Sequence, residues 1–308
     1  MAKLQLLDLV FNLECSQAIL EIVKANLVRL PDIIISDGLS SQVDYSIQVV
    51  PEGNVFDLDD HRFRVSETSD TATFGKDLVL FIGKKLQACL ESRNVYSLHA
   101  SAVSHQGIAV AFTGRSGSGK STLALALADA EVAQLSANHL LIQLDGQVPT
   151  IVGGCRFARL RQGSILHDLP WLSSSLPANR TNEGDDPWHS YAQIQLQDIT
   201  GAPRQFPCQL AELILPTRVP QALRLAHHNP DELADILFTE VSIFLRPSFF
   251  KSHLRLIPCF DTDQFVRSRY LFIQNLIRKI PVYSLSGELF AMADHIRGRP
   301  YWKGLAQA

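Results

Sequence analysis

The chain contains 308 residues, of which 46% are apolar and 19% are charged, and its formal net charge is -3. This length and composition suit one large globular domain, or a large domain with a small one. The near-neutral balance argues against nucleic acid as the main partner, because binding to a phosphate backbone needs a clear excess of Lys and Arg.

Targeting and membrane segments are not expected from the sequence. Residues 1–10 alternate apolar with polar side chains, without the basic start and apolar run of a signal peptide. No stretch approaches the ~20 uninterrupted apolar residues that a membrane helix requires. The cysteines lack metal-ligand spacing and are typical of buried side chains in a reducing compartment. They are Cys15, Cys89, Cys155, Cys208 and Cys259. We therefore expect a cytoplasmic protein without a membrane partner.

Residues 1–94 are predicted to form a small N-terminal α+β region. Apolar periodicity indicates helices at 18–30 and 78–90. Alternation of apolar and polar residues indicates a strand at 45–50, and an acidic turn between short runs indicates a hairpin at 55–65.

Residues 95–308 are predicted to form a second, larger domain. It opens with a strand at 97–103, the turn His105-Gln106-Gly107, and a continuous apolar strand at 108–113. Two strands joined by so short a turn must be antiparallel neighbours. A glycine-rich loop follows, and then a run rich in Ala and Leu that predicts a buried helix at 123–135.

The remaining elements alternate between strands and helices. Strands are predicted at 140–144, 148–152, 210–215 and 282–285, and helices at 230–244, 262–279 and 287–297. Residues 161–198 are harder to interpret, and the polar loop at 179–189 is either solvated or a cover over a substrate. Alternating strands and helices indicate an α/β fold with a mixed sheet.

The glycine-rich loop matches the complete phosphate-binding pattern, in which two glycines flank four residues and Lys-Ser follows. The matching residues are Gly114, Arg115, Ser116, Gly117, Ser118, Gly119, Lys120 and Ser121, followed by Thr122. At average residue frequencies the bare pattern arises by chance in roughly one chain in a hundred of this size. The required context, an apolar strand before the loop and a helix after it, is also present.

Each residue type of the loop has its own part in binding phosphate. Gly114, Gly117 and Gly119 allow the backbone to turn its N–H groups inward, and the helix N-terminus adds its positive dipole end. Lys120 places a cation between the outer phosphates, and the Ser121 hydroxyl is positioned to ligate magnesium. The loop therefore predicts binding of ATP with Mg²⁺, and the pattern fits GTP equally well.

The strand pair before the loop is unusual for phosphate-loop proteins, where a lone parallel strand normally enters the loop. Leu98-His99-Ala100-Ser101-Ala102-Val103, followed by 107–114, resembles the HPr serine kinase family and its bacterial relatives. The resemblance covers 96–152 well and the rest in outline, where Ile280-Pro281-Val282-Tyr283-Ser284-Leu285 is similar to the closing strand of many relatives.

The resemblance implies both a fold and an activity. The fold would be the mixed-sheet nucleotide-binding core that this family shares with phosphoenolpyruvate carboxykinase. The activity would be phosphoryl transfer from ATP to a hydroxyl, often a serine in a protein or peptide. Relatives are often oligomeric, so the resemblance is compatible with a homo-oligomer. In such enzymes a pair of aspartates after the loop accepts the hydroxyl proton and helps to hold magnesium.

The chain departs from the family at this aspartate pair. Counted from Lys120 without a gap, the two places fall on Ala137 and Asn138. Alanine can neither accept a proton nor coordinate a metal, and asparagine offers magnesium only a neutral oxygen. General-base help is worth ~10²–10⁴-fold, so loss of the base alone leaves a slow kinase, whereas loss of the metal carboxylate as well disfavours rapid turnover.

His99 is the candidate for a replacement base, because relatives often carry histidine there and an imidazole can accept a proton near neutral pH. The alternative is a histidine packed in the sheet with a satisfied hydrogen bond. His139 and Asp145 lie nearby in sequence but do not occupy the matching places, so structural roles are favoured for both.

Other histidines and arginines carry weaker indications. His227, His228 and His253 have no partner at metal-ligand spacing. Arginines that could hold a phosphate or an acidic substrate, or serve as solvated and helix-end charges, are Arg246, Arg267, Arg269, Arg297 and Arg299.

Two functional hypotheses remain, and a third class is disfavoured. The protein is either an ATP-dependent kinase of a serine-type hydroxyl with impaired catalysis, or an ATP-binding pseudokinase that recruits a partner protein. A mechanical NTPase needs a strand that ends in an aspartate or Asp-Glu pair at a suitable distance from the loop, and the nearest approach to this pattern is 140–145.

Overall fold

The computed structural model describes residues 2–27, 30–36, 43–51, 56–68, 70–175, 186–243, 245 and 261–302. Its architecture is mixed α/β, with parallel and antiparallel strand pairs in the same sheets, as the sequence predicts. The chain divides into two compact units, one with residues 1–93 and 243–265 and one with residues 94–242 and 266–308. The domain division at residues 94 and 95 stays a prediction.

The first unit contains a six-stranded sheet of order β3-β1-β2-β4-β6-β5. Its strands are β1 (Ala2–Leu6), β2 (Leu9–Glu14), β3 (Ile34–Ser36), β4 (Tyr45–Val50), β5 (Phe56–Leu58) and β6 (Arg62–Ser66). Alternate residues of β2 are buried, namely Leu9, Phe11 and Leu13, because a strand that is covered on one face needs apolar side chains at every second position. The helices α1 (Gln17–Leu27) and α2 (Thr71–Glu91) pack against each other.

The predicted elements of the first unit are present, with shifted ends. The strand at 45–50 and the hairpin of β5 with β6 are confirmed. Helix α2 begins at Thr71, seven residues before the predicted start, because the Asp70 carboxylate caps it by accepting the N–H of Thr73 at 3.1 Å. The antiparallel pair of β1 and β2 was not predicted.

The second unit contains a larger mixed sheet of order β11-β10-β7-β8-β14-β16-β15, with β9 paired to β7. The strands are β7 (Val95–His105), β8 (Ile108–Thr113), β9 (Ala133–Ser136), β10 (His139–Gln143), β11 (Thr150–Gly154), β14 (Cys208–Arg218), β15 (Arg224–Ala226) and β16 (Val282–Gly287). A pairing of β11 with the start of β14 closes β7, β8, β14, β11 and β10 into a ring. The strands β12 (Phe157–Arg161) and β13 (Tyr191–Gln195) form a separate pair.

The predicted antiparallel pairing of β7 with β8 is confirmed. Their two-residue turn, Gln106-Gly107, has positive φ at both residues (49° and 80°), as a type I′ turn requires. The register places Ala100 opposite Thr113, so that His99 lies beside the start of the glycine-rich loop. β8 is parallel to β14, and β14 is parallel to β16, so the carboxyl ends of these three strands meet at one edge of the sheet.

Helices pack on both faces of this sheet. The helices described between residues 120 and 297 are α3 (Lys120–Leu127), α4 (Gln162–His167), α5 (Gln197–Thr200), α6 (Pro230–Ser242), α7 (Asp263–Lys279) and α8 (Leu289–Arg297). Val110 and Phe112 of β8 belong to one apolar cluster with residues of α3 and α8, whereas Ala109 and Ala111 belong to another with residues of α6 and α7. Successive side chains of a strand point to opposite faces, so β8 contributes to both cores.

The prediction of one helix at 123–135 is wrong beyond Leu127. The Asp129 carboxylate accepts the N–H groups of Glu131 and Val132, and this local turn competes with the helix. Ala128 is extended, and the chain continues into β9. Among the described residues, every helix is too short or too polar to cross a membrane.

Candidate functional site

The glycine-rich loop at 114–119 has a backbone that requires glycine at three positions. Gly114, Gly117 and Gly119 have φ values of 123°, 85° and 97°, which L side chains rarely adopt. A Cβ on Gly117 would meet no atom within 4 Å, so at this position the backbone angle, and not crowding, demands glycine. Gly119 is the N-cap of α3, and the loop therefore leads directly into the N-terminus of that helix.

Lys120 is the buried cation of this loop. Its Nζ donates hydrogen bonds to the backbone oxygens of Gly114 (2.6 Å) and Arg115 (3.0 Å). Burial lowers the pKa of Lys120 to about 8, and the negative charge of Glu240 opposes this shift. Burial disfavours the charged form of Lys120, and an anion placed next to the ammonium group would stabilise that form.

Other residues of the loop differ in exposure. Arg115, Ser116 and Gly117 are exposed, whereas Thr122 is buried in the first turn of α3. Within the described residues, the buried hydroxyl oxygen of Ser118 has no hydrogen-bond partner. A buried polar atom without a partner is costly, and a phosphate oxygen in the loop is the kind of group that would satisfy it.

The hydroxyl of Ser121 lies in a small group of oxygen atoms. It donates to the backbone oxygen of Ala137 at 3.0 Å, and the same carbonyl accepts from Ser101 at 3.1 Å. The two serine hydroxyl oxygens are themselves 3.0 Å apart. Ala137 thus brings a backbone carbonyl to Ser121 at the place where the resemblance implies an aspartate. The backbone oxygen of Asn138 is used by the N–H of Ala100.

These oxygen atoms are of a type that binds magnesium, but none of them carries a negative charge. Hydroxyl and carbonyl oxygens are ligands that Mg²⁺ accepts, and the ion normally keeps several waters as well. The ion would therefore depend on nucleotide phosphates for its negative ligands. Among the residues that the structure describes, no group of three His, Cys, Asp or Glu side chains is arranged to hold a metal ion.

His99 pairs with a carboxylate that the sequence analysis did not identify. The Nδ1 atom of His99 lies 2.6 Å from Oε2 of Glu240, which is on α6. The two side chains are 12% and 4% exposed, so the pair is shielded from water. A buried carboxylate that contacts one ring nitrogen of a histidine orients the ring. Glu240 is also close enough to Lys120 to act on its pKa.

His139 lies opposite His99 in the pairing of β10 with β7. Its Nδ1 is 3.1 Å from the hydroxyl of Ser97. Burial, with the neighbouring His99 as a smaller cause, holds the pKa of His139 well below its usual value. His139 is therefore a neutral, hydrogen-bonded residue of the sheet. Asp145, in contrast, is exposed and accepts a hydrogen bond from Gln143.

The remaining predicted residues fall into structural roles or outside the described chain. Arg297 donates to the last carbonyls of α3, at the opposite end of that helix from the loop. Arg299 binds Tyr283 and lies 3.4 Å from the carboxylate of Glu212. The guanidinium of Arg269 is fully buried and lies 5.9 Å from the ring of Phe238.

Five other candidates complete this set. Arg267 is an exposed residue of α7. His228 contacts Ser284 and Glu232, and the His227 ring lies 6.2 Å from that of Tyr283. Residues 246 and 253 lie outside the described residues.

Comparison with known proteins adds no family assignment. No protein-family model matches the chain, and no curated protein matches it.

Proposed function

We propose that the protein is an ATP-dependent phosphotransferase of the HPr serine kinase type, which acts slowly on a serine-type hydroxyl with His99 as its base. The observation that carries this proposal is the buried pair of His99 with Glu240 beside the glycine-rich loop. A carboxylate behind a histidine is a recurring arrangement for general-base catalysis. It offers a base that does not depend on the aspartate that Ala137 replaces.

The glycine-rich loop would hold the triphosphate. Its inward-turning backbone and the N-terminus of α3 suit an anion. Lys120 would exchange the carbonyls of Gly114 and Arg115 for the outer phosphates, and Ser118 would gain a partner for its hydroxyl. Ser121 would help to hold Mg²⁺, which would supply positive charge to the outer phosphates.

His99 would accept the proton of the substrate hydroxyl at Nε2, since Nδ1 faces Glu240. The hydroxyl oxygen forms a bond to the γ-phosphorus, and the bond from that phosphorus to the bridging oxygen of ADP breaks. The products are the phosphorylated hydroxyl and ADP, with the proton on the imidazole. Glu240 stabilises the imidazolium while the transfer proceeds.

The rate is expected to be low because neither position of the aspartate pair carries a carboxylate. Phosphoryl transfer depends chiefly on positioning and on stabilisation of charge. Ser121 and the neutral carbonyl of Ala137 would hold magnesium less firmly than a carboxylate would, so the metal and the phosphates would be less well positioned.

A second candidate function is a nucleotide-dependent scaffold without catalysis, which recruits a partner protein. It is favoured by the contact between the Ser121 hydroxyl and the Ala137 carbonyl, in place of a contact with a carboxylate. In this case ATP would bind and order a surface without being consumed.

The two candidates are separated by measuring release and transfer of labelled γ-phosphate with magnesium. The phosphotransferase predicts slow turnover in the native protein, its loss in Lys120→Ala, and a fall of about 10²-fold or more in His99→Gln. His228→Gln, which changes another histidine paired with a glutamate, serves as the control and should leave turnover unchanged. Binding of ATP with no turnover would support the scaffold and contradict the phosphotransferase.

A further inference from the structure

Arg218 lies beside the glycine-rich loop, although no sequence pattern indicated a role for it. It is the last residue of β14, the strand that runs parallel to β8 and next to it. A Cβ built on Gly119 would lie 3.7 Å from the Cβ of Arg218. Parallel strands end at the same edge of a sheet, and ligands of α/β proteins bind at this edge. Arg218 therefore starts next to the N-terminus of α3.

The guanidinium of Arg218 has a fixed partner. Its Nη1 forms an ion pair with Oδ2 of Asp168, which is the C-cap of α4. The Asp168 side chain is 3% exposed, whereas that of Arg218 is 41% exposed. A buried carboxylate must be paired to be tolerated, so Asp168 holds one edge of the guanidinium while the other remains accessible to solvent.

We propose that Arg218 contacts the γ-phosphate of bound ATP and that Asp168 is its positioning residue. This inference rests on the proposed function. Gly119 precedes Lys120, the residue that the motif assigns to the outer phosphates, so a long side chain that begins beside Gly119 reaches that end of the triphosphate. Arginine suits this role because its planar fork binds a carboxylate and a phosphate at the same time.

The contact would add a second cation to a site that lacks the expected carboxylates. Lys120 and Arg218 would approach the outer phosphates from the loop and from the neighbouring strand. Because the γ-phosphate is absent from ADP, the interaction with Arg218 distinguishes ATP from ADP. It also strengthens as charge spreads over the transferred group in the transition state.

The experiment is a calorimetric titration of the full chain with MgATP and with MgADP. Arg218→Gln should weaken MgATP binding about 10–100-fold, the range for a hydrogen bond to a charged group, and should leave MgADP binding within about twofold. Arg218→Lys should recover part of the loss, because it keeps the charge but not the fork. Asp168→Asn should give a smaller loss that is also confined to MgATP.

Two further variants serve as controls for Arg218→Gln. Arg218→Gln leaves Asp168 buried without its cation, so the double variant with Asp168→Asn tests the same contact in a chain without that unpaired charge. Arg278→Gln, an exposed arginine in the last turn of α7, is the matched control and should bind both nucleotides as the native protein does.

Each outcome separates this inference from the proposed function. Native binding of both nucleotides, with unchanged MgATP affinity in Arg218→Gln, overturns the role of Arg218 alone. An equal loss for MgATP and MgADP also overturns it, because the contact would then not be to the γ-phosphate. No binding of either nucleotide to the native protein overturns the proposed function and this inference with it.

Discussion

Oε2 of Glu240 lies 2.6 Å from Nδ1 of His99, although 141 positions separate the two residues in the chain. The contact forms because α6 packs against β7, the strand that carries His99. It brings a buried carboxylate to the candidate base and close enough to Lys120 to act on its pKa. Glu240 is thereby the residue that links the candidate base to the glycine-rich loop.

Replacement of Glu240 by glutamine should impair turnover and spare binding. Glutamine keeps the size of the side chain and a hydrogen-bonding group, but it cannot stabilise an imidazolium with a negative charge. We expect turnover of labelled ATP to fall by about 10²-fold, while the dissociation constant for MgATP changes by less than about threefold. Phosphate release and calorimetry on the same preparation measure the two quantities.

The matched control for this variant is Glu232→Gln. Glu232 lies on the same helix and also faces a histidine, His228, at 3.2 Å, but its side chain is 60% exposed. This change should leave turnover at the native level, since exposed pairs contribute little. Equal effects of the Glu240 and Glu232 variants would contradict a catalytic role for the buried pair.

Nucleotide binding should weaken as the pH rises through about 8. Burial lowers the pKa of Lys120 to about 8 in the free protein, and bound phosphates stabilise the charged form and raise this pKa again. Below the free-protein pKa the lysine is already charged, and the affinity does not depend on it. Above that pKa, binding must return a proton to Lys120, so the affinity falls by up to about tenfold per pH unit.

Calorimetry between about pH 7 and about pH 9, in buffers that differ in ionisation heat, measures both the affinity and the proton uptake. Uptake should approach one proton per nucleotide at the alkaline end. An affinity that stays level over this range, with no proton uptake, would show that Lys120 does not meet the phosphates.

Introducing the aspartate pair that the resemblance implies should speed up phosphoryl transfer. In Ala137→Asp with Asn138→Asp, a carboxylate is introduced at the residue whose carbonyl contacts Ser121, and turnover with magnesium should exceed the native level. Ala137 is 5% exposed and packs in an apolar cluster, so the variant should lose about 1–3 kcal/mol of stability without nucleotide. MgATP should recover part of this loss, because a metal pairs with the buried charge.

The neutral control is Ala137→Asn with Asn138 unchanged, which adds the same bulk without the charge. Phosphate release over a magnesium titration compares the two variants. If the aspartates leave turnover at or below the native level in a chain that still binds nucleotide, the account of slow catalysis is wrong.

The segment around Ala137 should be sensitive to a methyl group on Gly154. A Cβ there would lie 2.7 Å from the Cβ of Ser136 and 3.0 Å from the backbone oxygen of Leu135. Backbone cannot move aside easily, so Gly154→Ala should cost about 1–3 kcal/mol in the free energy of unfolding. Gly153→Ala is the control, because the nearest atoms to its Cβ belong to the flexible Leu141 side chain, the first at 3.2 Å. Chemical denaturation of both variants tests the difference, and equal costs would contradict it.

The elements with strong local signals were predictable from the sequence. The apolar run before the loop, the short turn at Gln106-Gly107 and the glycine pattern gave the pairing of β7 with β8 and the position of the loop. Asp129 also carried a usable signal, because an aspartate after an Ala-rich run can accept nearby N–H groups and end a helix. Alternation of apolar and polar residues in Tyr191–Gln195 could similarly have indicated β13.

The partners at the candidate site were not predictable in the same way. Glu240 lies in an ordinary amphipathic helix, and nothing local distinguishes it from an exposed glutamate such as Glu232. Arg218 and Asp168 are 50 positions apart, and their contact depends on how β14 and α4 pack. A single sequence contains periodicity and turn chemistry, but a contact between distant helices and strands is decided by packing.

Nucleotide binding by the glycine-rich loop is tested by a calorimetric titration of MgATP into the native protein and into Lys120→Ala. Lys279→Ala, which removes an exposed lysine that donates to the backbone of Gly146, is the control. We expect MgATP to bind the native protein and the Lys279 variant, and its affinity to fall by at least about tenfold in Lys120→Ala. Native protein that does not bind MgATP, or equal affinities in all three chains, would contradict this expectation.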